Sequence, residues 1–271
     1  MIPARFEYEV AESVEHAVEL LGSREDAKLL AGGHSLLPAM RLRIARPSLL
    51  VDVGRLRDLV YVREDSGGIA IGALTRHAAL ARNPVLREHC AVVADAAAGI
   101  GDPQVRHRGT IGGSVAHGDP ASDLPTVLLA LGAELVARGP AGERRIAAAD
   151  FFTGTFATAL GPQDVLTEIR VPTSSAGAYL KFHRRAQDWA TVGVAAVRLN
   201  GSVHVALTSM GATPLRARGV EDALAAGADA AGAAEHAAEG TDPPSDTAAT
   251  ADFRRHIARV LVARALATLE C

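Results

Sequence analysis

The apolar and polar positions of the first 56 residues predict a strand–helix–strand unit. Residues 5–10 alternate between polar and apolar side chains, which is typical of a half-buried strand. Ser13 is a suitable N-cap for the next helix, because its hydroxyl can accept a hydrogen bond from an amide of the first turn. We therefore predict a compact βαβ-like unit with strands over 5–10, 28–31 and 49–53 and helices over 14–22 and 36–43.

Residues 57–174 combine strand-type and helix-type patterns. A hairpin is predicted across Asp65-Ser66-Gly67, and Thr75 is a candidate cap for a helix that Pro84 interrupts. The stretch 99–118 is rich in glycine and polar residues, so neither helix nor strand is assigned to it. The predicted strands are 59–63, 68–72, 134–137 and 164–171, and the predicted helices are 76–90, 92–98 and 121–131.

A small-residue linker at residues 174–177 predicts a boundary before a C-terminal domain. Beyond it we predict three antiparallel strands and two helices. Residues 225–246 are rich in alanine and glycine and contain Pro243-Pro244, which is typical of a flexible connection. The strands are predicted over 179–184, 191–199 and 203–209, and the helices over 215–226 and 250–269. The whole is an α+β protein of three parts, residues 1–56, 57–174 and 175–271.

Composition and charge argue against several classes of function. A net charge of −3, with both signs well mixed, is not typical of a surface that binds nucleic acid. We find no signal segment and no run of about 18 apolar residues that could span a bilayer, so a soluble cytoplasmic protein is expected. The two cysteines, Cys90 and Cys271, lack Cys-x-x-Cys spacing and cannot hold an iron–sulfur cluster alone. Redox chemistry would therefore require an organic cofactor.

Two glycine pairs, Gly32-Gly33 and Gly112-Gly113, are the strongest candidates for a binding site. Glycine lets a ligand approach the backbone closely, and successive amides in such a bend form an anion-binding nest. Hydroxyl side chains flank both pairs, at Ser35, Thr110 and Ser114. Two such bends suit a pyrophosphate, although ordinary strand-end turns remain the alternative. Neither bend matches the G-x-G-x-x-G or the P-loop pattern.

The residues around both pairs resemble the medium-subunit family of carbon monoxide dehydrogenase. The resemblance rests on AGGHSLLP at 31–38 with Arg46-Pro47 and Val51-Asp52, and on RGTIGGS at 108–114 continuing into DPASDLP at 119–125. It extends over nearly the whole chain through LTEI at 166–169, Lys181-Phe182, Arg184-Arg185, Val192-Gly193, Gly211-Ala212 and Pro214. Ser114 stands where the family usually has asparagine, so that contact would be made by a shorter side chain.

This resemblance implies a PCMH-type FAD-binding fold, like that of vanillyl-alcohol oxidase, with two subdomains and a family-specific C-terminal domain. FAD would lie extended between the two subdomains. The implied contacts with its pyrophosphate and ribityl chain are Ala31, Gly32, Gly33, His34, Ser35, Leu36 and Leu37 in the first loop and Thr110, Ile111, Gly112, Gly113 and Ser114 in the second. The other implied contacts are Asp123 with a cofactor hydroxyl, Leu166 with a ring system, Lys181 beside the flavin and Ile100 at the pocket wall.

Several of these residues also have ordinary structural explanations. Asp123 could cap a helix, Lys181 could be a solvated strand residue, and Leu166 could be a core position. His34 follows a glycine pair that, in some flavoproteins of this broad fold, precedes a histidine bonded covalently to the flavin. The closer family binds FAD without such a bond, so we predict non-covalent FAD here.

A group of polar residues near the second glycine pair could be mistaken for a metal site. It consists of Asp102, His107, His117 and Asp119. Their spacing matches no zinc pattern, and polar residues in a loop do not require a metal, so no metal is predicted.

The resemblance implies a function in electron transfer. A molybdenum cofactor on a large partner subunit would oxidise the substrate, and iron–sulfur clusters on a small partner would pass the electrons on. FAD on this chain would then deliver them to an external acceptor. The implied assembly is a dimer of heterotrimers, and no catalytic acid, base or nucleophile is assigned to this chain.

Two other functions stay open. A self-sufficient flavin oxidase or reductase would need aromatic residues around a substrate pocket, and the chain has six Phe, three Tyr and one Trp. An FAD-less scaffold subunit would have no need of two intact glycine loops. Both alternatives are less favoured than the electron-transfer subunit.

Overall fold

Residues 2–269 are described by the computed structural model of the chain, and Cys271 lies outside them. Over this range the protein has three main sheets, of three, five and four strands, with helices packed around them. The predicted α+β class is confirmed. Within the described residues, no helix is long and apolar enough to cross a membrane.

The N-terminal sheet is parallel because a helix separates each strand from the next. Its elements are β1 (Glu7–Val10), α1 (Val14–Gly22), β2 (Lys28–Leu30), α2 (Leu36–Arg41) and β3 (Leu49–Asp52), with the strand order β1-β3-β2. Ser13 caps α1, as predicted, by accepting a hydrogen bond from the His16 amide at 3.1 Å. The chain that follows β2 leaves the sheet at its carboxyl edge, which is where ligands bind in open parallel sheets.

The middle unit contains a five-stranded antiparallel sheet and most of the shorter helices. Its strands are β4 (Val62–Asp65), β5 (Gly68–Gly72), β6 (Glu134–Gly139), β7 (Gly142–Ala147), β8 (Phe152–Gly154), β9 (Ala157–Thr158) and β10 (Val165–Val171). Its helices are α3 (His77–Leu80), α4 (Pro84–His89), α5 (Ala91–Ala98), α6 (Pro103–Arg108), α7 (Ile111–His117), α8 (Asp123–Ala130) and α9 (Ala148–Phe151). The sheet order is β4-β5-β10-β6-β7, and β8 pairs only with β9. Every residue of α8 is buried, so this helix forms the centre of the largest core.

The middle unit differs from the sequence-based expectation in one unpredicted strand and in the cap at Thr75. The sequence does not predict β7, because it is an edge strand whose side chains are mostly charged and exposed, with only Ile146 buried. The helix predicted over 76–90 is interrupted, as expected from Pro84, and forms α3 and α4, of which α4 begins at Pro84. Thr75 caps neither of them, because its hydroxyl donates a hydrogen bond to the Tyr61 carbonyl oxygen at 2.9 Å.

The glycine-rich stretch 99–118 contains two helices, α6 and α7, which its composition does not predict. Asp102 caps α6 by accepting a hydrogen bond from the Val105 amide at 2.9 Å, and Pro103 occupies the first helical position. Thr110 caps α7 by accepting from the Gly113 amide at 3.1 Å. Local capping and tertiary contacts therefore override the weak helix propensity of glycine.

The C-terminal unit has four strands, where three are predicted. Its elements are β11 (Ala176–Phe182), β12 (Val192–Leu199), β13 (Ser202–Thr208), β14 (Leu215–Arg216), α10 (Arg218–Ala225), α11 (Ala230–Ala234) and α12 (Ala251–Leu269). The start of the helix predicted over 215–226 is the short strand β14, which pairs with β13. The predicted flexible connection over 225–246 contains α11 and a 3₁₀ helix, Glu235–Ala238. Their alanines Ala233, Ala234 and Ala237 are buried in the same core as α12.

Both faces of this C-terminal sheet are covered. On β11, Ala178, Leu180 and Phe182 belong to the core formed with α12, whereas Tyr179 packs against the core of the middle unit. Every residue of β12 except Arg198 is buried, because the strand has helices on both sides. Alternate residues of β11, including Tyr179 and Lys181, therefore face α5 and α8 of the middle unit.

Candidate cofactor site

The two glycine pairs lie against each other in the folded chain. We call residues 31–36 the first bend and residues 109–114 the second bend. A Cβ atom on Gly32 would lie 2.5 Å from the Arg108 carbonyl oxygen and 2.8 Å from the Gly109 Cα. The same carbonyl oxygen accepts a hydrogen bond from the Arg76 guanidinium, which holds the end of helix α6, just before the second bend, in place. Position 32 therefore has no room for a side chain.

The first bend has backbone amides without a protein acceptor. Gly33 has a φ of +78°, and its carbonyl oxygen accepts a hydrogen bond from the Leu37 amide at 3.0 Å. Among the described residues, no acceptor is found for the amides of Gly32, Gly33, His34 and Ser35. Consecutive unpaired amides in such a conformation are an anion-binding nest. The first bend is therefore suited to a phosphate group.

The ends of the first bend are also defined. Ala31 lies beside the second bend, 3.9 Å from the position that a Cβ on Gly113 would take. Ser35 is the N-cap residue of α2, but its hydroxyl makes no capping hydrogen bond. Leu36 is half-buried and Leu37 is exposed at the start of the same helix.

The second bend differs from the sequence-based interpretation, because its amides already have acceptors. Three successive N–H groups donate within the chain: Ile111 to the Thr75 carbonyl at 3.1 Å, Gly112 to the Ala73 carbonyl at 2.8 Å and Gly113 to the Thr110 hydroxyl at 3.1 Å. A Cβ on Gly112 would lie 2.5 Å from the Ala73 Cβ, so this glycine is required for packing. The interpretation of the second bend as an amide nest is wrong.

The second bend can still contribute a surface to a ligand. Gly113 is exposed next to the first bend, whereas Thr110, Ile111 and Gly112 are buried. Ser114 is half-buried, and its hydroxyl forms a 2.8 Å hydrogen bond with the Ser122 hydroxyl, in which either hydroxyl can be the donor. A ligand on the first bend would therefore meet a flat glycine surface and a hydroxyl on this side.

Asp123 and Lys181 form a buried ion pair between the middle and C-terminal units. The Lys181 Nζ lies 3.2 Å from the Asp123 Oδ2, and each side chain is 7% exposed. Lys181 also donates to the Gly99 carbonyl oxygen at 2.9 Å. The N-cap of α8 is Ser122, and Asp123 points to Lys181 instead of capping the helix. The two simpler explanations, a capping aspartate and a solvated lysine, are therefore wrong.

The sequence did not single out Tyr179, which completes this pair. Its hydroxyl donates to the Asp123 Oδ1 at 2.5 Å. Burial raises the pKa of Asp123 above its usual value, while Lys181 and the Tyr179 hydroxyl lower it again. Burial and the neighbouring carboxylate raise the pKa of Tyr179 well above 10, so its hydroxyl stays a donor. The sequence could have indicated Tyr179 by its spacing from Lys181, because residues two apart on a strand share a face.

A cleft of about 460 Å³ opens beside the ion pair, and we call it the Lys181 cleft. Its lining includes Gly99, Gly101, Arg106, Tyr179, Lys181 and His183. Helix α6 connects the cleft with the first bend, because the His34 Nε2–H donates to the Gln104 carbonyl oxygen at 3.3 Å. The first bend and the Lys181 cleft, which contain predicted cofactor contacts, are therefore connected through one short helix.

The remaining predicted contacts have different positions. Ile100 lies between two residues of the cleft lining, Gly99 and Gly101, and it is partly buried against the largest core. Leu166 is buried in that core on β10, opposite Ala137 of β6, and is not part of the cleft lining.

Three of the four polar residues near the second glycine pair have structural roles. The Asp102 carboxylate caps α6, and the Asp119 carboxylate accepts a hydrogen bond from the Ala121 amide at 2.9 Å. The His117 ring packs against the Phe156 ring with 5.0 Å between their centroids. Among residues 2–269, no group of three or more His, Cys, Asp and Glu side chains is arranged to hold a metal ion.

His77 is a buried residue that the sequence did not point to. It is 4% exposed, its amide donates to the Gly109 carbonyl oxygen at 3.0 Å, and its Nδ1 has no hydrogen-bond partner among the described residues. A Cβ on Gly109 would lie 2.6 Å from the His77 Cδ2. Burial, with a smaller contribution from Arg76, lowers the pKa of His77 to about 4. A neutral imidazole therefore supports the second bend from behind.

This histidine should make the stability of the chain depend on pH. Between pH 4 and 6.5 the unfolded chain binds more protons at His77 than the folded chain, so stability rises with pH in that window. From pH 7 to pH 5 the loss should be about 2 kcal/mol in the free energy of unfolding. Urea unfolding at both pH values should show that His77→Gln removes this loss. The exposed-site control His107→Gln should retain it, and equal pH slopes in wild type and His77→Gln would contradict the assignment.

Comparison with known protein families agrees with this geometry. Residues 4–174 match the family described as the FAD binding domain in molybdopterin dehydrogenase, and residues 177–269 match the CO dehydrogenase flavoprotein C-terminal domain. The chain belongs to this family. It is an FAD-binding subunit of the dehydrogenase type, as the sequence resemblance indicated.

Two similar proteins and one solved structure match this chain over nearly its full length. The carbon monoxide dehydrogenase medium chain of Hydrogenophaga pseudoflava is 43% identical over 279 residues, covering 98% of this chain and 97% of that protein. The 6-hydroxypseudooxynicotine dehydrogenase complex subunit alpha of Paenarthrobacter nicotinovorans is 40% identical, covering 98% and 95%. A solved structure of the Hydrogenophaga carbon monoxide dehydrogenase, lacking the Mo-pyranopterin moiety, superposes with a TM-score of 0.95, covering 100% of this chain and 99% of that one at 43% identity.

Proposed function

We propose that this chain is the FAD-carrying electron-transfer subunit of a molybdenum hydroxylase complex. The observation that carries the proposal is the first bend: its amides at Gly32, Gly33, His34 and Ser35 have no acceptor among the described residues, and its Gly32 lies against Gly109 of a second, sequence-distant bend. A pyrophosphate needs several preorganised donors and close backbone approach, and this arrangement supplies both. The family assignment identifies the dinucleotide as FAD.

The residues of the chain divide the work of holding the cofactor. The first bend binds the phosphates through its amides, with Ala31, Leu36 and Leu37 at its ends. The second bend presents Gly113 and the Ser114 hydroxyl opposite, supported from within by Thr110, Ile111 and Gly112. The Lys181 cleft would receive one end of the dinucleotide, where Lys181 and its partner Asp123 would hydrogen-bond to polar atoms and Ile100 would stand behind the wall. We retain Leu166 as an indirect contact that acts through the core.

FAD supplies the electron-carrying chemistry when it is bound. The chain itself orients the cofactor, restricts water and places one buried cation–anion pair, Lys181 and Asp123, at the cleft. We assign no acid, base or nucleophile to it. His34 donates its Nε2–H to the Gln104 carbonyl, and we propose that it lies beside the cofactor without a covalent bond.

The partners follow from the similar proteins. Two of them are named as a medium chain of carbon monoxide dehydrogenase and as a subunit of a dehydrogenase complex. We therefore propose a small iron–sulfur subunit and a large molybdenum subunit, assembled as a cytoplasmic dimer of heterotrimers. Electrons would pass from the iron–sulfur clusters through FAD to an external acceptor. The substrate would be selected on the large subunit.

The architecture that we propose is the PCMH-type fold of two FAD-binding subdomains, 1–56 and 57–174, with a C-terminal domain over 175–271. The separate parallel and antiparallel sheets support the first division. The second is supported by the short gap between the two family matches, which end at 174 and begin at 177. The C-terminal sheet nevertheless packs its β11 face on α5 and α8, so this domain also lines the cofactor site.

The test of this function uses the full purified chain. Titration with FAD, followed by flavin fluorescence, should show saturable binding of one FAD per chain, and acid precipitation should leave the flavin in the supernatant. Adding the reduced iron–sulfur subunit should bleach the flavin absorbance. The chain alone should not turn over an organic substrate. Turnover of an organic substrate would instead indicate a self-sufficient oxidase or reductase, and failure to bind FAD would indicate a scaffold subunit.

A further inference from the structure

Tyr179 connects the Asp123–Lys181 pair to the interior of the C-terminal sheet. Its ring lines the Lys181 cleft, while its hydroxyl turns away from solvent and donates to the Asp123 Oδ1 at 2.5 Å. The Thr208 hydroxyl lies next to the tyrosine oxygen, since a Cβ on Gly193 would contact both, and is 2.6 Å from the Thr126 hydroxyl on α8. Asp123, Tyr179, Thr208 and Thr126 therefore form a cluster of polar side chains between α8 and two strands of the sheet.

Space for this tyrosine is provided by a glycine on the neighbouring strand. Gly193 is the strand partner of Lys181 in the β11–β12 pair. A Cβ on Gly193 would lie 2.6 Å from the Tyr179 hydroxyl oxygen and 3.0 Å from the Thr208 Oγ1. Any larger residue would displace the hydroxyl from Asp123. The tyrosine is therefore seated in a specific position.

Asp123 depends on this hydroxyl because its two carboxylate oxygens have different donors. Lys181 reaches the Oδ2 at 3.2 Å and divides its donors between that atom and the Gly99 carbonyl oxygen. Tyr179 supplies the hydrogen bond to the Oδ1. A buried carboxylate without a donor on one oxygen is unfavourable and would rotate or take up a proton.

We propose that Tyr179 is a positioning residue of the cofactor site: its hydroxyl holds the Asp123 carboxylate in the orientation in which Asp123 and Lys181 meet the bound cofactor. This proposal rests on the FAD-binding function proposed above. It extends that function to a residue that acts through another side chain. Tyr179 itself contributes neither a proton nor an electron.

Loss of the hydroxyl has a predictable effect on pH dependence. The Tyr179 hydroxyl is one of the causes that lower the pKa of Asp123, so its removal should raise that pKa further. Protonated Asp123 no longer balances Lys181, so FAD binding should weaken as pH falls, and it should do so at a higher pH in the variant. The other charged or titratable side chains around this cleft are Asp95 of α5, Asp102 and Arg106 at α6, and His183 after β11. They are unchanged by the substitution.

The experiment measures the dissociation constant of FAD for the full chain from pH 5 to pH 8. Tyr179→Phe should raise the Kd about 10-fold at pH 7, the size expected for one hydrogen bond to a charged group. It should also move the loss of FAD binding to a higher pH. Tyr61→Phe is the matched control, because Tyr61 donates a comparable 2.6 Å hydrogen bond to Glu168 away from the site. It should leave both the Kd and the profile unchanged.

A second variant separates positioning from a general loss of structure. If Tyr179 acts through Asp123, then Tyr179→Phe should add little to the effect of Asp123→Asn in the double variant. Full additivity, or a Tyr179→Phe profile identical to that of wild type, would overturn the proposal. Failure of the wild-type chain to bind FAD would instead overturn the proposed function, so the two failures are distinguishable.

Discussion

The Gly32→Val substitution is expected to weaken FAD binding strongly while leaving the chain folded. A Cβ at this position would lie 2.5 Å from the Arg108 carbonyl oxygen and 2.8 Å from the Gly109 Cα, distances that real Cβ atoms do not adopt. Both neighbours are backbone atoms, and Arg76 holds the carbonyl, so they cannot yield by a side-chain rotation. The two bends would have to separate, and overlaps that displace backbone in this way cost about 1–3 kcal/mol.

Separation of the bends should affect binding more than folding. The first bend is a surface segment between β2 and α2, and Ala31 at its start is partly buried against the core of the N-terminal unit. We expect the Kd for FAD to rise at least about 100-fold, which corresponds to about 2.8 kcal/mol of binding free energy. Flavin fluorescence titration measures this change, and circular dichroism checks the fold.

The control for this prediction is another glycine, Gly154. Its φ is not positive, and a Cβ there would have Ala157 Cβ as its nearest neighbour at 3.7 Å, an ordinary contact. Gly154→Ala should therefore bind FAD as the wild type does. Unchanged FAD affinity in Gly32→Val would show that the contact between the bends is not needed for the cofactor site.

The Asp123→Ala substitution is expected to destabilise the chain strongly. It would leave Lys181 buried without its counter-ion and Tyr179 without its acceptor. Removing one partner of a buried ion pair costs about 3–5 kcal/mol, because the remaining charge is neither hydrated nor neutralised. Urea unfolding followed by circular dichroism measures the change in the free energy of unfolding.

Two further variants test the physical reason for that cost. The double variant Asp123→Ala with Lys181→Met removes both charges, so it should recover part of the lost stability. Asp252→Ala removes an exposed partner of Arg255, which is 2.9 Å away at a carboxylate that is 95% exposed, and should cost about 0–1 kcal/mol. A similar cost for Asp123→Ala and Asp252→Ala would show that burial does not make the Asp123–Lys181 pair special.

Local sequence was sufficient for the N-terminal unit and for the position of the first bend. The helix α1 could be predicted because its cap, Ser13, and its apolar face are all set by residues close together in the chain. The glycine pair after β2 could be predicted for a similar reason, since a bend at the end of a buried strand needs only local conformational freedom. Motifs at both bends were also sufficient to indicate the family and its cofactor, FAD.

Only the tertiary structure decided how the parts of the site meet. That Gly32 touches the second bend, that the amides of Ile111 and Gly112 are already used by Thr75 and Ala73, and that Tyr179 completes Asp123 are all contacts between residues far apart in sequence. A hydrogen-bond acceptor supplied from another element leaves no trace in local periodicity. The same physical reason explains the charged edge strand β7 and the ordered alanine-rich segment before α12, which are stabilised by neighbours that the local pattern does not reveal.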